Sequence, residues 1–136
     1  MLHGSCLCGK VQYEIDGQPL AMYHCHCGVC RAACGAGFAT NIAVSTPDFR
    51  LTAGAEALAA YESSPGKHRY FCSTCGSPIY SHGRKTSHFV SVRCGTLHDD
   101  PGLRPAYHAY VATRAPWVSI DDDLPRFAAG APMKSA

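Results

Sequence analysis

The sequence predicts a single, mostly β domain built from short strands. Its apolar residues occur in short runs, and several runs show the alternation of apolar and polar side chains that is typical of a half-buried strand. Glycine and proline, 13 and 9 residues respectively, separate these runs at short intervals. A chain of 136 residues has the usual length of one domain and is long enough to bury a hydrophobic core.

The predicted strands follow one another along the chain. The clearest covers 10–15, where Val11, Tyr13 and Ile15 alternate with polar neighbours, and a turn at 16–19 ends it. Segment 57–62 reads as a strand, although its alanine-rich start fits a helix equally well. The other predicted strands are 20–24, 38–44, 48–53, 68–71, 79–80, 89–93 and 107–111.

One stretch has the length for a helix. Segment 28–34 predicts one or two helical turns, ended by the glycine-rich segment 35–37. Phe38 and Trp117 are expected to pack in the core. The domain is predicted to span 3–127, and 128–136 is predicted to be a flexible C-terminal tail.

The charge pattern argues against two classes of partner. The formal net charge is +2, charged residues make up 16% of the chain, and no basic or acidic run occurs, so we expect neither a nucleic-acid nor a membrane partner. The apolar runs are too short to cross a bilayer, and the chain starts without a charged-then-apolar leader. These features predict a cytoplasmic protein and leave dimerisation open.

Nine cysteines are the most informative part of the composition. Thiols stay reduced in the cytosol, and an odd number of cysteines leaves one unpaired in any disulfide scheme. Both points favour metal binding over disulfide bonds.

Two cysteine pairs far apart in the sequence complement each other. Cys6-x-Cys8 and Cys72-x-x-Cys75 together supply four thiolates from two tight turns, a pattern typical of a closed structural zinc site. Such a site would hold the N-terminal segment against the middle of the chain.

Cys25, Cys27 and Cys30 form a second set with C-x-C-x-x-C spacing. Three close thiolates can occupy three corners of a tetrahedral zinc ion. The spacing leaves the fourth corner open to two interpretations: either His24, His26, Cys34 or Cys94 closes it, or it is free for a substrate. A closed site would be structural, and an open one would be an active centre.

Five motifs, in this order along the chain, resemble the glutathione-dependent formaldehyde-activating enzyme (GFA) family, also called the centromere protein V-like family. They are His3-Gly4-Ser5-Cys6-Leu7-Cys8-Gly9, Cys25-His26-Cys27-x-x-Cys30-Arg31, Phe71-Cys72-x-x-Cys75-Gly76-Ser77, Gly95-Thr96-Leu97 and Ala115-Pro116-Trp117. The resemblance implies a β-rich, Mss4-like fold and two zinc ions per chain. One ion would be structural, on Cys6, Cys8, Cys72 and Cys75; the other would be catalytic, on Cys25, Cys27 and Cys30. The sequence departs from the family pattern at Cys34 and Cys94, which we nevertheless expect not to be ligands, because the triad is self-sufficient.

An open three-thiolate zinc favours a thiol as substrate, because zinc holds a thiol in its nucleophilic, deprotonated form. The predicted activity is therefore that of a carbon–sulfur lyase or synthase acting on a thiol adduct, such as that of glutathione with formaldehyde. Arg31, directly after the cysteines, is predicted to bind the carboxylates of glutathione, with Lys67, Arg69 and Arg93 as further candidates. The alternative is a non-catalytic two-zinc interaction module.

Overall fold

Ten short strands and one α-helix make up the computed structural model, which describes residues 1–132. The strands are β1 Leu2–Ser5, β2 Gln12–Ile15, β3 Ala21–Cys25, β4 Ala39–Ser45, β5 Phe49–Ala53, β6 Leu58–Ser64, β7 Lys67–Cys72, β8 Pro78–Gly83, β9 Phe89–Arg93 and β10 His108–Ala109. The α-helix, α1, is Gly28–Cys34. Single 3₁₀ turns cover Thr46–Asp48, Ala55–Ala57, Arg84–Thr86, Cys94–Thr96 and Val111–Thr113.

The predicted mostly β class is confirmed, and each predicted strand has a counterpart in the structure. Segment 57–62 is the strand β6, preceded by a 3₁₀ turn, so its helical alternative is wrong. The strand predicted over 107–111 is shorter than expected, because only His108–Ala109 pairs with a neighbour before a 3₁₀ turn begins.

The strands form two sheets. A three-stranded sheet has the order β1-β2-β5, and a seven-stranded sheet has the order β10-β3-β4-β9-β8-β7-β6. Neighbouring strands run antiparallel except for β10, which pairs parallel with β3.

Side chains alternate between the two faces of the larger sheet, which gives it one apolar and one polar face. On β9, Val90 and Val92 are buried in the main core, which also contains Tyr13 and Ile15 of β2. Ser91, the residue between them, points to the opposite face. This second face forms the floor of the cavity described below.

The C-terminal segment continues to contact the domain beyond residue 127. The carbonyl groups of Ala128 and Ala129 accept backbone hydrogen bonds from Ala112 and Tyr110. The end of the predicted tail, 133–136, lies outside the described residues. Within residues 1–132, no helix combines the length and the apolar character needed to cross a bilayer.

Candidate metal centres and active site

Seven of the nine cysteines converge into two groups. Cys6, Cys8, Cys72 and Cys75 form the four-cysteine group, and Cys25, Cys27 and Cys30 form the three-cysteine group. Within each group all sulfur atoms lie within 4.8 Å of one another. The structure therefore assembles the two sets that the sequence spacing indicates.

The four-cysteine group connects the two sheets. Cys6 and Cys8 lie in the turn between β1 and β2, whereas Cys72 ends β7 and Cys75 lies in the turn before β8. The Cys6 and Cys8 sulfurs are 3.5 Å apart, and the Cys8 and Cys72 sulfurs are 3.8 Å apart. The Ser77 hydroxyl, 3.3 Å from the Cys75 sulfur, and the Ser77 backbone lower the pKa of Cys75 to about 5, so this thiol favours its metal-binding form.

The three-cysteine group is built by a strand end and the start of a helix. Cys25 is the last residue of β3, Cys27 caps the N-terminus of α1, and Cys30 lies in its first turn. The Cys30 backbone N–H donates to the Cys27 sulfur over 3.2 Å, which holds the turn closed. Gly35 ends the helix in the left-handed conformation, with φ of 69°, as glycine does most readily.

The sulfur geometry fits zinc. Tetrahedral zinc with bonds to sulfur of about 2.3 Å places neighbouring sulfurs about 3.8 Å apart. The separations of 3.5 and 3.8 Å in the four-cysteine group match that edge. Two cysteine groups that can hold metal ions agree with the predicted zinc content, and the identity of the metal is part of the proposal below.

Within the described residues, none of the four candidates for a fourth protein ligand lies in the three-cysteine group. Cys34 donates weakly to the Arg31 carbonyl over 3.7 Å, and Cys94 packs against the main core. His24 Nδ1 pairs with the Thr40 hydroxyl at 2.8 Å. His26 Nε2 lies 2.8 Å from His108 Nδ1.

A cavity of about 640 Å³ opens beside the three-cysteine group, and its wall contains all three of these cysteines. The four-cysteine group takes no part in lining it. Its cationic side chains are Lys67, Arg69 and Arg93, and its aromatic ones are Tyr23, Phe89, Tyr107 and Tyr110. Because no aspartate or glutamate among the described residues lines it, the cavity favours anionic ligands.

The cavity floor is a set of side chains from adjacent strands on the polar face of the larger sheet. Strand pairing places Asn41 opposite both Tyr23 and Arg93, and Ser81 opposite both Ser91 and Arg69. Hydrogen bonds connect side chains of neighbouring strands. Arg93 donates to Asn41 over 3.0 Å, and the hydroxyls of Tyr23 and Ser91 lie 3.0 Å apart. The sheet therefore holds these cavity residues on rigid elements.

The Cys30 sulfur faces the Arg69 guanidinium on the cavity wall. Hydrogen bonds from the Cys25 and Cys27 thiols, followed by the charges of Arg69 and Arg93, lower the pKa of Cys30 to about 2. Hydrogen bonding with Cys27 and Cys30, followed by burial, raises the pKa of Cys25. Negative charge is therefore favoured on the Cys30 sulfur, which faces Arg69.

Arg31 lies outside this cavity, although the sequence places it directly after the cysteines. It borders a separate surface depression of about 400 Å³, together with Gly28 and Trp117. Successive residues of an α-helix are rotated by about 100°, so the neighbour of an inward-facing Cys30 faces away from it. Trp117 is 75% exposed, so the expectation that it packs in the core is wrong.

The sequence did not reveal a chain of hydrogen-bonded side chains that starts at the buried His26, next to the three-cysteine group, and ends at Asp122 on the surface. His26 is fully buried, its ring contacts His108, and His108 Nε2 lies 2.9 Å from an Asp122 carboxylate oxygen. Burial and the neighbouring His108 lower the pKa of His26 to about 4, so its ring is neutral at pH 7. No local pattern could reveal this chain, because it depends on the parallel pairing of β10 with β3.

Fold and site together define a class of small β domain with two cysteine-rich sites able to hold metal ions, one of them open to a cavity. The family model described as "Glutathione-dependent formaldehyde-activating enzyme" matches residues 1–113. The chain therefore belongs to the glutathione-dependent formaldehyde-activating enzyme family, as its motifs predict.

A solved structure supports the fold. The chain is similar to a crystal structure of a Rhodobacter sphaeroides protein, with 28% sequence identity and a TM-score of 0.62. The match covers 76% of this chain and 91% of the other one. The similarity therefore extends over most of the domain.

Proposed function

We propose that this protein is a zinc-dependent carbon–sulfur lyase or synthase that acts on the adduct of glutathione with formaldehyde or a related aldehyde. The observation that carries the proposal is the difference between the two cysteine groups. Four cysteines in one group complete a tetrahedral ligand set, whereas the three in the other leave one position open and line a cavity.

Zinc held by Cys25, Cys27 and Cys30 would supply the acidity that keeps a substrate thiol deprotonated. The net reaction joins the thiol sulfur to the aldehyde carbon and moves the thiol proton to the carbonyl oxygen. The reverse reaction breaks the same carbon–sulfur bond, and neither direction changes the oxidation state. The cavity walls would exclude bulk water and hold the thiol and the aldehyde close together. Holding two reactants in place can supply a large part of the rate acceleration of a bimolecular reaction.

Lys67 is the cation that we assign to a glutathione carboxylate. It lines the cavity beside Ser63, Ser64 and Thr86, whose hydroxyls can donate further hydrogen bonds. No carboxylate among the described residues forms an ion pair with it. Arg31 would serve a ligand only outside this cavity, so Lys67 takes the role that the sequence suggested for Arg31.

The experiment compares the parent protein with Cys27→Ala. Exchange between glutathione and its S-hydroxymethyl adduct is followed by NMR in the presence of formaldehyde, and zinc is counted by elemental analysis. We expect two zinc ions and accelerated exchange in the parent. Cys27→Ala should keep one zinc ion and lose the acceleration. Its free energy of unfolding should fall by about 1 kcal/mol, the usual cost of losing a helix cap, in addition to the stabilisation that the lost ion supplied.

The matched control is Cys34→Ser, which changes a cysteine on the same helix that belongs to neither group. It should keep two zinc ions and the parent exchange rate. Exchange at the uncatalysed rate in a two-zinc parent would overturn the enzyme proposal. The chain would then be assigned the alternative role of a non-catalytic two-zinc interaction module.

A further inference from the structure

Two guanidinium groups, those of Arg69 and Arg93, line the same cavity as the three-cysteine group. Both terminal nitrogens of Arg69 are 3.8 Å from the Cys30 sulfur. Its remaining nitrogen, Nε, donates to the Ser63 hydroxyl over 3.1 Å, which fixes the plane of the guanidinium. Arg69 is therefore held with its charged edge toward sulfur.

Arg93 is only 6% exposed and has neutral hydrogen-bond partners. It donates to the Asn41 side-chain oxygen over 3.0 Å and to the Ser91 carbonyl over 3.2 Å. Within residues 1–132, no carboxylate forms an ion pair with either Arg69 or Arg93. Burying a cation is unfavourable unless an anion lies near it. The nearby groups that can carry negative charge are the thiolates of the three-cysteine group, which line the same cavity.

The charges balance when the fourth ligand is a monoanion, such as a thiolate. A divalent ion with three thiolates carries a net charge of −1, and a fourth thiolate makes it −2. Two guanidiniums contribute +2, so the assembly is neutral with a fourth thiolate and carries +1 with a neutral ligand. In a partly buried site, unbalanced charge is disfavoured.

We propose that Arg69 and Arg93 are positioning residues whose charges make the three-cysteine centre select a thiolate as its fourth ligand over a neutral one. The inference rests on the proposed function and deepens it, because it names what selects the substrate class. A thiol that bound there would lose its S–H proton to solvent and keep the electron pair on sulfur, and Arg69 and Arg93 would stabilise the negative charge that results. No oxidant or reductant is needed.

The test uses the full chain loaded with two cobalt ions, because a new sulfur ligand changes the ligand-to-metal absorption of cobalt. Three probes are titrated: 2-mercaptoethanol, a thiol without carboxylates; glutathione, a thiol with two; and imidazole, a neutral ligand. The variants are Arg69→Met and Arg69→Lys. The control is Arg50→Met, which removes an exposed arginine on β5 outside the cavity.

In Arg69→Met, we expect the Kd of both thiols to rise by at least about ten-fold, the effect of one unit charge at close range in a partly buried site. The Kd of imidazole should stay within about two-fold of the parent, because a neutral ligand gains little from a nearby charge. Arg69→Lys, which keeps the charge, should recover most of the thiol affinity, and Arg50→Met should match the parent. If Arg69→Met does not retain both cobalt ions, Arg69→Gln is used for the same comparison.

Equal thiol affinity in the parent and Arg69→Met would overturn the inference and leave the proposed function standing. A loss confined to glutathione would also overturn it, because Arg69 would then recognise carboxylates. If no thiol changes the cobalt spectrum of the parent, the proposed function and this inference fail together.

Discussion

Replacing Cys72 with serine removes one sulfur from the four-cysteine group that joins the two sheets. Cys72 is fully buried, and a serine hydroxyl in its place is a shorter and harder ligand than a thiolate, so it does not replace the missing sulfur. The Cys8 sulfur, 3.8 Å away and 64 residues earlier in the chain, loses its partner. We therefore expect the variant to lose the zinc ion of this group.

The size of the effect follows from linkage between metal binding and folding. An unfolded chain would have to close the 64-residue separation of Cys8 and Cys72 to rebuild the site, which costs about 4 kcal/mol, so zinc binds chiefly to the folded chain. A binding free energy of about 12 kcal/mol corresponds to a Kd of about 1 nM, and free zinc at about 1 μM then stabilises the fold by about 4 kcal/mol. For a chain of this length, its loss should lower Tm by on the order of 15 °C.

Thermal unfolding followed by circular dichroism, in zinc buffers that span nanomolar to micromolar free metal, measures this difference. The parent Tm should rise with free zinc, the Cys72→Ser midpoint should rise much less, and Cys34→Ser should follow the parent. A Cys72→Ser protein with the parent midpoint and the parent zinc dependence would refute the structural role of the group.

Two further predictions concern the fold. Gly54 and Gly102 have φ of 81° and 80°, but a Cβ at Gly54 would collide with the Lys10 carbonyl, whereas nothing lies near Gly102. Gly54→Ala should therefore lose at least about 2 kcal/mol more stability in urea unfolding than Gly102→Ala, and equal losses would contradict the collision. Burial raises the pKa of Tyr13, which is 1% exposed, from 10.0 to about 12, so the folded state keeps this proton after the unfolded state has lost it. The free energy of unfolding should therefore stay constant below pH 10 and fall between pH 10 and 12, by about 2 to 3 kcal/mol from Tyr13 alone. The Tyr13→Phe variant should show a smaller fall over the same range. A free energy of unfolding of the parent that does not change up to pH 12 would contradict the assignment.

The parts of the molecule that are coded locally could be predicted from the sequence. Helix Gly28–Cys34 agrees residue for residue with its prediction, because the glycines that follow it are a strong end signal and Gly35 does adopt the left-handed conformation. The two cysteine groups could also be identified, because metal coordination restricts which spacings are useful.

Features that depend on strand pairing could not be predicted. Arg69 and Arg93 are separated by β8 in the sheet, and only the register of three strands places both on the cavity face. Strand β1 has too few apolar residues to show alternation, and it is recognisable only through its pairing with β2. Arg31 was predicted to bind the carboxylates of glutathione because it directly follows Cys30, but the rotation between successive helical residues places it at a separate depression.

The unequal sequence spans of the two cysteine groups have a consequence for how the chain acquires metal during synthesis. Cys25, Cys27 and Cys30 leave the ribosome almost together, and short loops close quickly, so this group can take up an ion while most of the chain is still unmade. Cys8 cannot meet Cys72 until the next 64 residues have been synthesised, and their synthesis takes about 3 to 13 s at ordinary translation rates. During that interval Cys6 and Cys8 are free thiols on a nascent chain, open to oxidation or to capture of a wrong ion. Translation in a zinc-poor or oxidising cell should therefore damage the four-cysteine group before the three-cysteine group. If the proposed zinc content is correct, the expected product is a misfolded chain with a metal ion only in the three-cysteine group.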